Sequence, residues 1–155
     1  SLQFITMYQN LLKLDPTGKL IRQLAFDKNI NIRWNISTYQ DLLGADPSGE
    51  LIKRLANDES ESVRGAIAGH KDLLKLDPSG EIARQLANDE SGTVRGAIAG
   101  HKDLLKLDPS GEIIKKLSND DDWFVRTNIT SRKDLSKIQI NANESIIREY
   151  IKYFL

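Results

Sequence analysis

A period of 31 residues governs this chain. Residues 55–60 and 86–91 both read LANDES, and residues 63–82 and 94–113 both read VRGAIAGHKDLLKLDPSGEI. Between 55–85 and 86–116, 26 of 31 positions are identical; the differences are Glu61/Gly92, Ser62/Thr93, Ala83/Ile114, Arg84/Lys115 and Gln85/Lys116. All 4 prolines share one column (Pro16, Pro47, Pro78, Pro109), each between an Asp and a Thr-Gly or Ser-Gly. Arg33, Arg64, Arg95 and Arg126 form a second column, and Ile5, Ile36, Ile67, Ile98 and Ile129 a third. Such self-similarity marks a stacked architecture in which no unit buries its apolar face alone.

Each repeat reads as two helices. The first follows Asp-Pro-Ser-Gly-Glu: the Asp suits an N-cap and the Pro the first helical position. Leu51, Ile52, Leu55 and Ala56 then give an apolar stripe of helical spacing. The second helix starts near Asp58-Glu59-Ser60 and places Val63, Ala66, Ile67 and His70 on one face. The stretch 71–76 is too rich in leucine for a solvated loop and predicts a short helical turn under the next repeat. Helices of this length are marginal alone and need stacking. The expected fold is therefore all-α: one domain over 1–155, an α-solenoid (superhelix) of about five 31-residue two-helix repeats. Its linkers fall near 15–18, 46–49, 77–80 and 108–111, with a C-terminal cap helix at about 144–155.

Charge narrows the function. Lys and Arg total 22 against 22 Asp and Glu, whereas nucleic-acid binders usually carry an excess of cations. No apolar run approaches the ~18–20 residues that span a bilayer. With 0 cysteines there is no disulfide, thiolate nucleophile or thiolate metal site. A cytoplasmic location is the expectation. The chain opens on Ser1-Leu2, inside a repeat, with Ile5, Tyr8 and the leucines at 11, 12 and 14 forming an uncapped apolar face. Missing upstream residues or self-association through that N-terminal repeat would cover it.

The pattern Asp58-x-x-x-x-Val63-Arg64, repeated at Asp89/Val94/Arg95 and Asp120/Val125/Arg126, resembles HEAT-like repeats. With the leucine-containing link and the E-I-I-x-x-L helix it is also similar to the leucine-rich repeat variant family. The resemblance covers nearly the whole chain and implies an armadillo-type α-superhelix. It implies no chemistry. Leucine-rich repeat variant proteins can carry an iron–sulfur cluster on cysteines, and this chain has none. HEAT-like DNA glycosylases carry a basic concave face, and this chain is neutral. No cofactor is expected.

The columns offer candidate sites. Arg33, Arg64, Arg95 and Arg126 could grip carboxylates or phosphates through planar guanidinium forks. Each also comes with an Asp (Asp27, Asp58, Asp89, Asp120), so the favoured reading is a structural ladder between repeats. His70 and His101 hold equivalent positions; stacked helices sit roughly 10 Å apart, too far for shared metal ligation, so they read as residues at the edge of the core. The acidic runs at 58–59, 89–90 and 120–122 read as helix caps, and no metal site is expected. Gly65 and Gly96 lie inside the second helix and, measured from Val63 and Ile67, face away from the core. Trp34 on the same column has no evident core to enter. Trp123 and Phe124 read chiefly as closing the end of the core.

The leading expectation is a non-enzymatic scaffold that binds a protein or peptide partner on its concave face. Positions that vary between near-identical repeats would carry specificity: Trp34, Glu61, Gly65, Gly92, Gly96, Trp123 and Thr127. The alternatives are a nucleic-acid-binding protein of the HEAT-like glycosylase type, with Lys71, Lys75, Lys102, Lys106 and Lys133 as its basic row, or a spacer segment of a longer protein.

Overall fold

The computed structural model describes residues 11–135. The expected cap helix at 144–155 and the N-terminal face at 1–10 lie outside the described residues. All regular structure among the described residues is helical. A lone one-turn helix, α1 (Leu11–Leu14), precedes four repeats. The first helices are α2 (Lys19–Leu24), α5 (Glu50–Ala56), α8 (Glu81–Leu86) and α11 (Glu112–Ser118). The second helices are α3 (Ile30–Ser37), α6 (Glu61–Ala68), α9 (Gly92–Ala99) and α12 (Trp123–Thr130). The leucine-rich link forms one-turn helices α4 (Leu42–Ala45), α7 (Leu73–Leu76) and α10 (Leu104–Leu107). Each complete repeat thus holds three helical segments, two longer and one of a single turn.

Among the described residues successive second helices pack extensively on one another, and each also packs on the first helix of its own repeat. The core runs unbroken along the array. In one repeat Leu55, Val63, Ile67 and Leu73 have no exposed surface, and in the next Leu86, Val94, Ile98 and Leu104 repeat the pattern. Every unit is covered by its neighbours, as nearest-neighbour stabilisation requires.

The linker differs from the sequence expectation. Asp15, Asp46, Asp77 and Asp108 are not the N-cap residues, and the prolines do not sit at the first helical position. Each Asp-Pro-Ser/Thr-Gly unit is a β-turn: Gly80 N–H donates to the Asp77 carbonyl at 3.0 Å, and Gly18, Gly49 and Gly111 do the same. The glycine takes φ between 67° and 76° and itself precedes the helix. That left-handed conformation is strained for any residue with a Cβ. The Asp still serves the helix end from a distance. Asp77 Oδ2 accepts Ala83 N–H at 2.9 Å, Asp108 Oδ2 accepts Ile114 N–H at 3.0 Å, and Asp46 accepts Leu51 N–H. Proline thus initiates the turn rather than the helix.

Candidate functional site

Two polar ladders bind the repeats to one another. In the first, Arg33 clamps Asp58 of the next repeat, with Nε donating to Oδ2 at 2.8 Å and Nη2 to Oδ1 at 3.0 Å. Arg64 holds Asp89 at 2.7 and 2.9 Å, and Arg95 holds Asp120 at 2.7 and 2.8 Å. Each Nη1 turns back to its own repeat: Arg33 to the Asp27 carbonyl, Arg64 to that of Asp58, Arg95 to that of Asp89. Each Nη2 also reaches a flanking acid, Glu59, Glu90 or Asp121. The Asp carboxylates in turn accept the backbone N–H two residues on, at the entry to the second helix.

Burial and pairing set the electrostatics. The side chains of Arg33 and Asp58 are 4% and 0% exposed. Burial pushes the Asp58 and Asp89 carboxyls up, but the guanidinium bonds and the Ser60 and Ser91 N–H groups outweigh it and hold both below the usual range. The Arg95 bond holds Asp120 down at about 2. The hydrogen bond that each arginine donates to Asp58, Asp89 or Asp120 raises the arginine in turn. An arginine saturated this way has no donors left for an external phosphate. The two ends differ. The Asp27 carboxylate accepts Asn29 N–H and meets no arginine side chain among the described residues. Arg126 donates Nη1 to the Asp120 and Asp121 carbonyls, at 2.5 and 3.0 Å.

The second ladder lies on the histidine column. His70 Nε2 donates to the Tyr39 carbonyl and His101 Nε2 to the His70 carbonyl, each at 2.9 Å. Their Nδ1 atoms accept the N–H of Asp72 and Asp103 at 3.2 and 3.1 Å. Arg132 closes the column, donating Nη1 to the His101 carbonyl at 2.8 Å. Both histidines are buried. With Nε2 facing a carbonyl and Nδ1 facing an N–H, the ring is held as the neutral Nε2–H tautomer. Burial lowers His101 from its ordinary value. These residues do more than edge the core: they staple one repeat's backbone to the next. Among the described residues no cluster of His, Cys, Asp or Glu is arranged to hold a metal ion.

The glycine column is a correction to the expected outward face. Gly96 is buried and Gly65 half-buried; they do not face open solvent. A Cβ on Gly96 would lie 2.6 Å from Phe124 Cε1, while one on Gly65 would lie 3.9 Å from Val94 Cγ2. The angle that turns this column from its own core aims it at the second helix of the next repeat. Gly92 abuts the Asp122 carboxylate of that helix. Glu61 is exposed and accepts a hydrogen bond from Ser91 Oγ at 2.6 Å. Thr127 is exposed.

The large aromatics stand outside. Trp34 is 44%, Trp123 68% and Phe124 45% exposed. Trp123 therefore does not close the core; it meets Phe124 edge to face at 6.4 Å while Phe124 covers Gly96. Phe26 is also exposed, with the Arg54 guanidinium 5.1 Å from its ring centroid. No protein-family model, curated protein or solved structure matches this chain. It is an array of tandem helical repeats. Among the described residues no helix is long and apolar enough to cross a membrane.

Proposed function

We propose that this array is a non-enzymatic scaffold of the HEAT-like, leucine-rich repeat variant kind, binding a protein or peptide partner on its concave face. One observation carries the reading. Trp34 and Trp123, on the second helices of the first and last described repeats, are 44% and 68% exposed where the adjoining repeat places glycine, Gly65 and Gly92. Exposed tryptophans on a rigid frame are efficient interface anchors, because they bury much area and lose little conformational freedom. Arg33, Arg64 and Arg95 are spent on the frame, and the exposed aromatics are the distinctive surface beside them.

The nucleic-acid alternative is less favoured. Lys75 and Lys106 in its basic row are paired with Asp72 and Asp103 at 2.9 and 3.1 Å, so two of its five lysines carry their own countercharge. Capture from a lysate on the immobilised chain, washed in a salt series, separates the readings. A partner protein that resists salt supports the scaffold. Nucleic acid released steeply by salt supports the alternative. Recovery of nothing supports a spacer role.

A further inference from the structure

We propose that a concavity between the first two described repeats receives a carboxylate from an acidic, apolar segment of the partner; this rests on the scaffold reading. The concavity measures about 610 Å³, and Phe26, Lys28, Arg54, Asn57 and Glu59 are among its lining residues.

Three lining residues break the repeat pattern. Phe26 stands where later repeats have Asn57, Asn88 and Asn119. Lys28 stands where they have Glu59, Glu90 and Asp121. Arg54 stands where the next repeat has Gln85. At the following junction Gln85 Nε2 donates to Asn57 Oδ1 at 3.0 Å and to the Ala56 carbonyl at 3.2 Å, joining the two loops. Phe26 offers no such acceptor, and the first junction carries instead an aromatic face with a guanidinium over it.

The cations here have unused donors. Arg33 is engaged on every nitrogen. Arg54 uses Nη1 alone, to Asp58 at 3.3 Å, leaving Nε and Nη2 without a hydrogen bond among the described residues. The Lys28 ammonium has no ion pair among the described residues. On the acidic side, Asp58 lies under Arg33, Glu59 is held by Arg33 Nη2, and Asp27 takes the Asn29 N–H. Arg54 and Lys28 can thus meet one more oxyanion, and charge-assisted bonds are the strong ones. Asp27, Asp58 and Glu59 balance Lys28, Arg33 and Arg54 around the concavity, so a singly charged carboxylate meets less repulsion there than a dianionic phosphate. Phe26, 64% exposed, supplies the surface for an adjacent apolar side chain.

The test is fluorescence anisotropy with a short labelled peptide of alternating Glu and Leu, and a control with Gln for Glu. The intact chain binds the first saturably and the control at least about tenfold more weakly. Phe26→Asn, Lys28→Glu and Arg54→Gln each restore a residue that another repeat carries, so the stack is preserved. A thermal melt checks each variant, and three independent variants guard against one that fails to fold. Each weakens the Glu peptide by about tenfold or more. Absence of binding, equal binding of the Gln peptide, or unchanged affinity in the folded variants overturns the proposal. If these fail while lysate capture still depends on Trp34 and Trp123, the carboxylate site falls and the scaffold reading stands.

Discussion

His101 Nε2 donates to the backbone carbonyl of His70 at 2.9 Å, one 31-residue period earlier in the chain. The other ring nitrogen requires neutrality: Nδ1 accepts the Asp103 N–H only while it is unprotonated. Burial lowers the His101 pKa, and the charged groups acting on the ring are Asp103, Lys102 and Arg132. The folded state therefore binds fewer protons than the unfolded chain, whose histidines titrate near ~6.5. The stabilisation is complete above that pH and declines as pH falls below it. Urea unfolding across pH 7 to 5 will show a loss of stability that His101→Gln, unable to titrate, reduces. An identical pH slope in the variant would contradict the tautomer assignment.

The aspartate rungs respond at lower pH. Asp58, Asp89 and Asp120 are held below their ordinary values, Asp120 at about 2. Their stabilisation is present above the unfolded value of ~3.9 and is lost as pH falls through the folded values. Acid titration followed by far-ultraviolet circular dichroism in fixed urea will thus show two stretches of lost stability, one below ~6.5 and one below ~3.9.

Breaking a rung strips a buried guanidinium of its buried partner and leaves it only the exposed flanking acid. Asp58→Asn will cost about 2–3 kcal/mol, since the Arg33 side chain is only 4% exposed and keeps only the exposed Glu59 as a counter-ion. Arg33→Met combined with Asp58→Leu will recover much of that loss, because the charges it leaves unpaired, Glu59 and Arg54, are not buried. Chemical denaturation of the two singles and the double decides it. Additive losses would mean that the pair does not act as a unit.

Two glycines of one column will respond with opposite signs. Gly65→Ala places its methyl 3.9 Å from Val94 and gains helix propensity, stabilising by about 0.5–1 kcal/mol. Gly96→Ala drives its methyl into the Phe124 ring at 2.6 Å and destabilises by about 1–3 kcal/mol. Adding Phe124→Thr, which installs the residue that Thr93 supplies one repeat earlier, relieves the second loss. Thermal melts of the three variants are the measurement.

The sequence is most readable where a signal repeats. The 31-residue period, the leucine link and the apolar stripes of α5 and α6 are enough for an all-helical array, because each element states its pattern several times. What escapes depends on neighbours. An angle taken within one helix cannot show that Gly96 faces Phe124 of the next repeat. The Asp77 turn escapes because its carboxylate caps a helix that begins beyond Gly80, whose left-handed backbone is invisible to residue type alone. The histidine ladder has a signal: His70, His101 and Arg132 share a column and all carry side-chain N–H donors. The substitutions Phe26 and Lys28 are equally visible when the repeats are aligned, but only the fold sets them beside Arg54.

Capture with a double variant decides the scaffold role. Trp34→Ser and Trp123→Ser together alter two exposed side chains, so the stack should melt close to the parent. Partner proteins retained through a high-salt wash are identified by mass spectrometry for both chains. The expected result is a salt-resistant partner that the parent captures and the double variant loses while its melt is preserved. The same partner captured at the same yield by both would rule out the tryptophans as anchors and remove the basis for the scaffold reading.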